Sequence, residues 1–155
     1  MHSYMEYDRG RLINLYDSFF GNIGAHADLK LKFHNMEKNV IQLYLPFQKK
    51  FSDKEHVGCL HSTAITTAID GACGFAVMVQ LGRPEAIATV NLRIDHMAKP
   101  PAGKGLIVEA CSYQKAGDFV YVRASVYEPN SGQQHCGAVG IFKAGSPGPA
   151  LGNVG

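Results

Sequence analysis

The chain has no run of lysine or arginine longer than two residues, and its net charge is only +2. A nucleic-acid-binding protein needs a basic stripe or patch, so no nucleic-acid partner is expected. Paired cysteine spacing is missing too. Cys59, Cys73, Cys111 and Cys136 are scattered, which points to free thiols in a reducing compartment rather than a disulfide framework. The opening residues MHSYMEYDRGR lack the apolar core of a signal peptide, and a cytoplasmic location is the expectation. No uninterrupted apolar segment spans a bilayer once Asp70 is counted, so no membrane partner is expected either. There is no internal repeat.

What is present describes one globular domain. The 155 residues are 46% apolar and 18% charged, enough to bury a full core. The domain is expected over residues 1–144. The Gly/Pro-rich run GSPGPALGNVG, residues 145–155, reads as a flexible tail.

Residues 8–20 carry Leu12, Ile13, Leu15, Tyr16, Phe19 and Phe20 at helical spacing, and Gly21 and Gly24 end that stripe. Leu29, Leu31 and Phe33 then alternate with Lys30, Lys32 and His34 as in a strand. Asn35–Asn39 supplies turn chemistry, and Val40, Ile41, Leu43 and Leu45 return, so residues 28–46 read as a hairpin. Gln48–Glu55 is a polar connector.

From Ser62 the chain reads STAITTAIDGACGFAVMVQL, small and apolar almost all the way round, before Gly82-Arg83-Pro84 stops it. A helix apolar on every side is a buried helix. The single acid within it, Asp70, is costly there unless paired, hydrogen-bonded or protonated. Strands follow over residues 86–97, 105–115, 119–128 and 133–143, and their short links predict an antiparallel meander. One long helix must cover the sheet's apolar face, and its own uncovered flank then needs a partner. Two such helices meeting, or two sheets joining edge to edge, would supply it.

A long helix wrapped by an antiparallel sheet is the hotdog arrangement, an α+β fold. The chain resembles its phenylacetate-type acyl-CoA thioesterase branch. Gly58, Leu60, His61 and Asp70 carry the pattern G-x-L-H-(small)-x7-D, followed by Ala-Thr-Val-Asn-Leu-Arg-Ile at 88–94 and Pro-Ala-Gly-Lys-Gly at 101–105. The resemblance covers roughly residues 28–143. Two positions depart from it. Ser62-Thr63 stands where the family has glycine after the histidine, and Glu55 stands where many members have asparagine. The first crowds the place where a thioester carbonyl should approach the backbone; the second exchanges a neutral amide for an acid.

The resemblance implies hydrolysis of a small or medium acyl-CoA. No cofactor is implied beyond the coenzyme A of the substrate, and the assembly would be a homodimer or a dimer of dimers. Thioester hydrolysis needs a donor to polarise the carbonyl and a carboxylate to activate water or attack directly. The Ser62 amide, at the positive end of the helix, takes the first role, though Ser62 or Thr63 equally reads as a simple N-cap. Asp70 takes the second, and the plain alternative is a satisfied core acid. His61 is read as an organiser of the loop before the helix, and Thr89 as a hydroxyl that helps hold the catalytic water or carboxylate. Glu55 and Gly58 are placed near the substrate, and Lys99 and Lys104 near the nucleotide phosphates. Each of these four is also ordinary loop composition.

Asp70 lies nine residues after His61, a turn of about 180° and a rise of about 13 Å. One helix therefore cannot bring its own start and its own acid together, whereas two antiparallel copies could. Glu55, His56, Cys59 and His61 match no closed zinc site, and no metal is expected. Asp95 and His96 point to opposite faces of a strand and form no dyad. The competing expectation is a non-catalytic module that binds an acyl group or coenzyme A.

Overall fold

A computed structural model describes residues 9–21, 24–55, 58–83 and 85–145. The first helix, α1, is Arg9–Tyr16, and a wider π-helical turn, Asp17–Gly21, follows it. A short helix, α2, spans Gly24–Leu29. Strands β1 (Lys32–Glu37) and β2 (Val40–Leu45) form the hairpin. The long helix, α3, is Ser62–Leu81. Strands β3 (Ile87–His96), β4 (Leu106–Ala116), β5 (Phe119–Tyr127) and β6 (Gln134–Ala144) complete a six-stranded antiparallel sheet. The sheet curves around α3, which packs on β2, β3, β4, β5 and β6. This is the hotdog fold.

The hairpin is shorter than its periodicity suggests. Leu29 ends α2, and Lys30 turns the chain in the left-handed region at φ 52°. Asn35, Met36 and Glu37 belong to β1, and the loop is only Lys38-Asn39, with Lys38 at φ 55°. The apolar alternation from Leu29 came from a helix end followed by a turn, both of which bury Leu29 and Leu31. The strands after α3 also depart from a simple meander. The sheet order is β1-β2-β4-β5-β6-β3, so β4, β5 and β6 are consecutive neighbours but β3 crosses over to pair with β6. That crossover leaves β1 and β3 as the two edges.

β3 holds a bulge. Thr89 pairs with Phe142 and Asn91 with Ile141, leaving Val90 as the extra residue, 55% exposed. A bulge shifts the inward parity by one. Ile87 and Thr89 therefore share the helix-facing side with Leu92 and Ile94, which are half-buried, although strict alternation would separate them. Thr89 reaches α3 because of this irregularity.

By length and composition α3 could cross a membrane, but here it is the core helix, with a continuous buried run from Gly71 to Met78. Gly82 ends it at φ 69°, its N–H shared between the carbonyls of Met78 and Val79. Phe75 is the hub of its packing. The ring meets Tyr16 at 5.3 Å, Phe20 at 5.7 Å and Phe33 at 6.2 Å, all edge-on, so one side chain ties α1, the π-turn and β1 to the core helix. Replacing Phe75 with Ala is expected to lower stability by about 3–5 kcal/mol in urea unfolding. The variant should also loosen residues 9–21, read as faster amide exchange there.

Candidate active site

The start of α3 is built by a loop clasp. Residues Lys49–Phe51 make one 3-10 turn, and Ser52 bridges back to Leu60. The His61 N–H donates to the Phe51 carbonyl at 2.8 Å, and the Asp53 N–H donates to the Cys59 carbonyl at 2.8 Å. Gly58, at φ 92°, accepts from the Gly103 N–H at 2.7 Å and donates to the Ser52 hydroxyl at 2.9 Å. A Cβ at Gly58 would lie 3.1 Å from that of Ala102. Its position is that of a backbone clasp between the two loops.

His61 is itself the N-cap. It sits in extended backbone, φ −65° and ψ 143°, and its Nδ1 accepts from the Thr63 N–H at 3.1 Å. The cap is therefore not Ser62 or Thr63. Of the first-turn donors, the N–H groups of Ala64 and Ile65 go to the His61 carbonyl and that of Thr63 to the His61 ring. The Ser62 N–H is left without a hydrogen-bond partner among the described residues, on an exposed residue at the positive end of the helix. It is available to an oxyanion.

Two cavities flank this point. One, of about 370 Å³, is lined by Ser62 and Ile65 of the helix, Cys59, His96 and Met97 at the end of β3, Lys99 and Cys136. The other, of about 610 Å³, runs past Glu55, His61, Thr63 and Thr67. Glu55 and Lys99, both placed near substrate by the sequence, thus border different cavities. Lys104 lies elsewhere, its charge acting on Glu128, whose carboxylate accepts from the amides of Asn130 and Ser131 and is held below the usual range. Among the described residues, Lys99 lines the smaller of these two cavities and Lys104 lines neither.

Asp70 is half-buried, eight residues along α3 from Ser62. The Thr89 hydroxyl donates to its Oδ1 at 2.8 Å. That charge-assisted bond orients the carboxylate and leaves its other oxygen free of protein donors among the described residues. Thr63, Thr67 and Asp70 recur at helical spacing on the less buried flank of α3. This flank meets the edge strand β3 at the Asp70–Thr89 contact.

His26, on α2, was not singled out by the sequence. Its ring packs on Gly71 so closely that an added Cβ would collide with Cε1 and lie 2.7 Å from Nε2. A glycine directly after the helix acid was the available signal, since it marks close approach by another group. Burial pushes the His26 pKa down, and the charge of Asp70 pulls it back up.

Two of the thiols, Cys73 and Cys136, are unsuited to a nucleophilic role. All four cysteines are free. Cys136 Sγ lies 3.3 Å from His96 Nδ1, but burial pushes its pKa up to about 11. Cys73 is pushed up to about 12 by burial, then by Asp70 and Cys111. Both stay protonated at neutral pH, when the thiolate is the reactive form. Among the described residues no three His, Cys, Asp or Glu side chains group as a metal site; His56 lies outside them.

No protein-family model matches the chain. No curated protein matches its sequence. Solved structures do match its fold. The Escherichia coli PaaI protein from the phenylacetic acid degradation operon superimposes with a TM-score of 0.74 at 12% identity, over 87% of this chain and 94% of that one. Thioesterase superfamily member 2 from Mus musculus gives 0.73 at 15% identity, over 90% and 98%. A Pseudomonas aeruginosa protein gives 0.72 at 25% identity, over 86% and 96%. The chain has the hotdog fold found in thioesterase-superfamily structures, PaaI among them.

The capping geometry is directly testable. His61→Ala should cost about 1 kcal/mol in urea unfolding, whereas His61→Asn, which keeps an acceptor for the Thr63 amide, should stay near wild type.

Proposed function

We propose that the protein is a thioester hydrolase acting on small or medium acyl-CoA substrates, with each active site shared between two copies of the chain. The observation that carries this reading is the separation of the two chemical groups. The partner-free Ser62 N–H and the Thr89-held Asp70 carboxylate are eight residues apart on one helix, a rise of about 12 Å. That is too far for both to act on one carbonyl carbon.

A second copy closes the gap. β3 is an edge strand with unpaired backbone groups along one side. Two β3 strands paired antiparallel about their middle would put Thr89 of one copy beside the His96 end of the other. His96 and Met97 line the 370 Å³ cavity onto which Ser62 opens. The second copy's Asp70 would then face the first copy's Ser62 across that cavity, and Lys99, on its wall, would meet a phosphate of coenzyme A.

The Ser62 N–H would hold the thioester oxygen as it becomes an oxyanion. The opposing Asp70 would take a proton from water as the water oxygen adds to the carbonyl carbon, or add directly through its own oxygen. Either tetrahedral adduct collapses by breaking the C–S bond and expelling the coenzyme A thiolate. The first route leaves the free acid; the second leaves a mixed anhydride, which water hydrolyses to the free acid and the Asp70 carboxylate. His61 organises the oxyanion side by capping the helix without consuming the Ser62 amide. Glu55 and Gly58 flank this region, Glu55 facing the larger cavity. The free thiols suit the cytoplasm as its place of work.

The tests use two substitutions that the structure should tolerate. Proline is accepted at the first helical position, and His61 already has the extended conformation that a residue before proline needs. Ser62→Pro therefore removes little besides the N–H. It should lower kcat/KM for a panel of acyl-CoAs by about 10²–10³-fold. Asp70→Asn should lower it by about 10²–10⁴-fold. Wild-type rates in Asp70→Asn would refute the mechanism, and ligand binding without turnover by the wild type would favour a binding module.

Mixing the two inactive variants tests the sharing of sites. Half the dimers formed at random are mixed, and each has one intact site of two. Activity should therefore recover to about a quarter of wild type. No recovery, with subunit exchange demonstrated, would show that each chain works alone.

A further inference from the structure

We propose that His26, packed on the turn of α3 that carries Asp70, is a pH-sensitive neighbour of that carboxylate, bringing no charge to it when neutral and weakening it as a base or nucleophile when protonated. This rests on the thioesterase reading of Asp70.

The geometry is specific. α2 packs against α3 and lays the imidazole on Gly71, the residue directly after the acid. No other residue type fits at position 71 without displacing the ring, because a Cβ would collide with it. Phe20, from the π-turn, packs on the ring at a centroid distance of 5.5 Å. The ring is thus clamped between Phe20 and the helix backbone. Its Nδ1 is fully buried and has no hydrogen-bond partner among the described residues.

That orphaned nitrogen decides the favoured charge state. An imidazolium must donate from both nitrogens, and a buried N–H without an acceptor is costly. Burial therefore favours the neutral ring, which agrees with the downward push on its pKa. The opposing influence is the charge of Asp70 on α3, the one charged group among the described residues that acts on the ring; Thr89 of β3 and Phe20 of the π-turn bring none.

The coupling is mutual. If Asp70 raises the proton affinity of His26, protonated His26 lowers that of Asp70 by the same factor. Above the His26 transition the ring is neutral and brings no charge to the turn that carries the acid. As pH falls through the transition, a cation appears beside the acid and makes it a poorer base or nucleophile. The acid limb of the rate profile is then set by His26 rather than by Asp70 alone.

The first test needs no substrate. The imidazole C–H resonance of His26, assigned by its loss in His26→Gln, is titrated by NMR in wild type and in Asp70→Asn. The His26 transition should move to lower pH in Asp70→Asn, and an unchanged transition would overturn the proposal. The second is the pH profile of kcat/KM with acyl-CoA. His26→Gln and the ring-shaped His26→Phe should both retain activity at pH 8 within a few-fold, and in both the acid limb should move to lower pH. A purely packing role would lower the rate in His26→Gln, spare His26→Phe and leave the limb in place, which also overturns the proposal. If Asp70→Asn is inactive and the limb does not move, the His26 role falls and the thioesterase reading stands. If Asp70→Asn is fully active, the thioesterase reading falls, and the NMR titration still reports whether the two groups are coupled.

Discussion

The structure depends on covering a helix that has almost no polar face. α3 must be removed from water over most of its surface, and the sheet curls around it because no other element is long enough. The N-terminal segments cover what the sheet leaves, through Phe75 and its ring partners and through His26 on Gly71. One flank remains, marked by Thr63, Thr67 and Asp70. These are the positions where the apolar helix tolerates hydroxyls and a carboxylate. Under the proposed function, the chemistry is placed where coverage by a single chain ends.

Much of this was legible in the sequence because it follows from local pattern. The length of α3 shows in an apolar run ended by Gly82, and the strands after it lie within a residue or two of their alternating segments. Pairing was not legible. Nothing in residues 86–97 says that they cross over to β6, because short links make a neighbour the natural expectation. The Val90 bulge was hidden for a related reason: inserting one residue preserves the look of alternation while reversing its sense. The start of the hairpin was not legible, because Leu29 and Leu31, two apolar residues at strand spacing, belong to a helix end and a turn.

The candidate site divides in the same way. Asp70 stood out because an acid in an apolar helix conflicts with its surroundings, and such conflicts collect at functional sites. Its bond to Thr89 depends on the bulge, so spacing alone could not establish it. The true cap was not legible, because serine and threonine are the usual cap residues and were the alternatives open here, whereas a histidine ring nitrogen accepts the Thr63 amide. His26 was not legible because it lies six residues after Phe20 in a stretch without periodicity, and only the folded chain puts it against Gly71, the residue after the acid.

The two departures from the family pattern differ physically. A glycine after the histidine serves close approach to a backbone N–H, and serine keeps that N–H. Because His61 takes the capping role, the serine hydroxyl is not needed to satisfy the helix start, and the Ser62 amide stays partner-free. The side chain that serine adds belongs to the lining of the smaller cavity. Glu55 is another matter, since it lines the larger cavity, on the His61 side of the helix start. A carboxylate there repels an anionic acyl group and welcomes a hydrogen-bond donor or a cation. Under the proposed function, Ser62 sets how closely the thioester can approach the oxyanion donor. Glu55 biases which acyl groups are tolerated. The two departures therefore act on different properties, and neither removes a group on which the proposed chemistry depends.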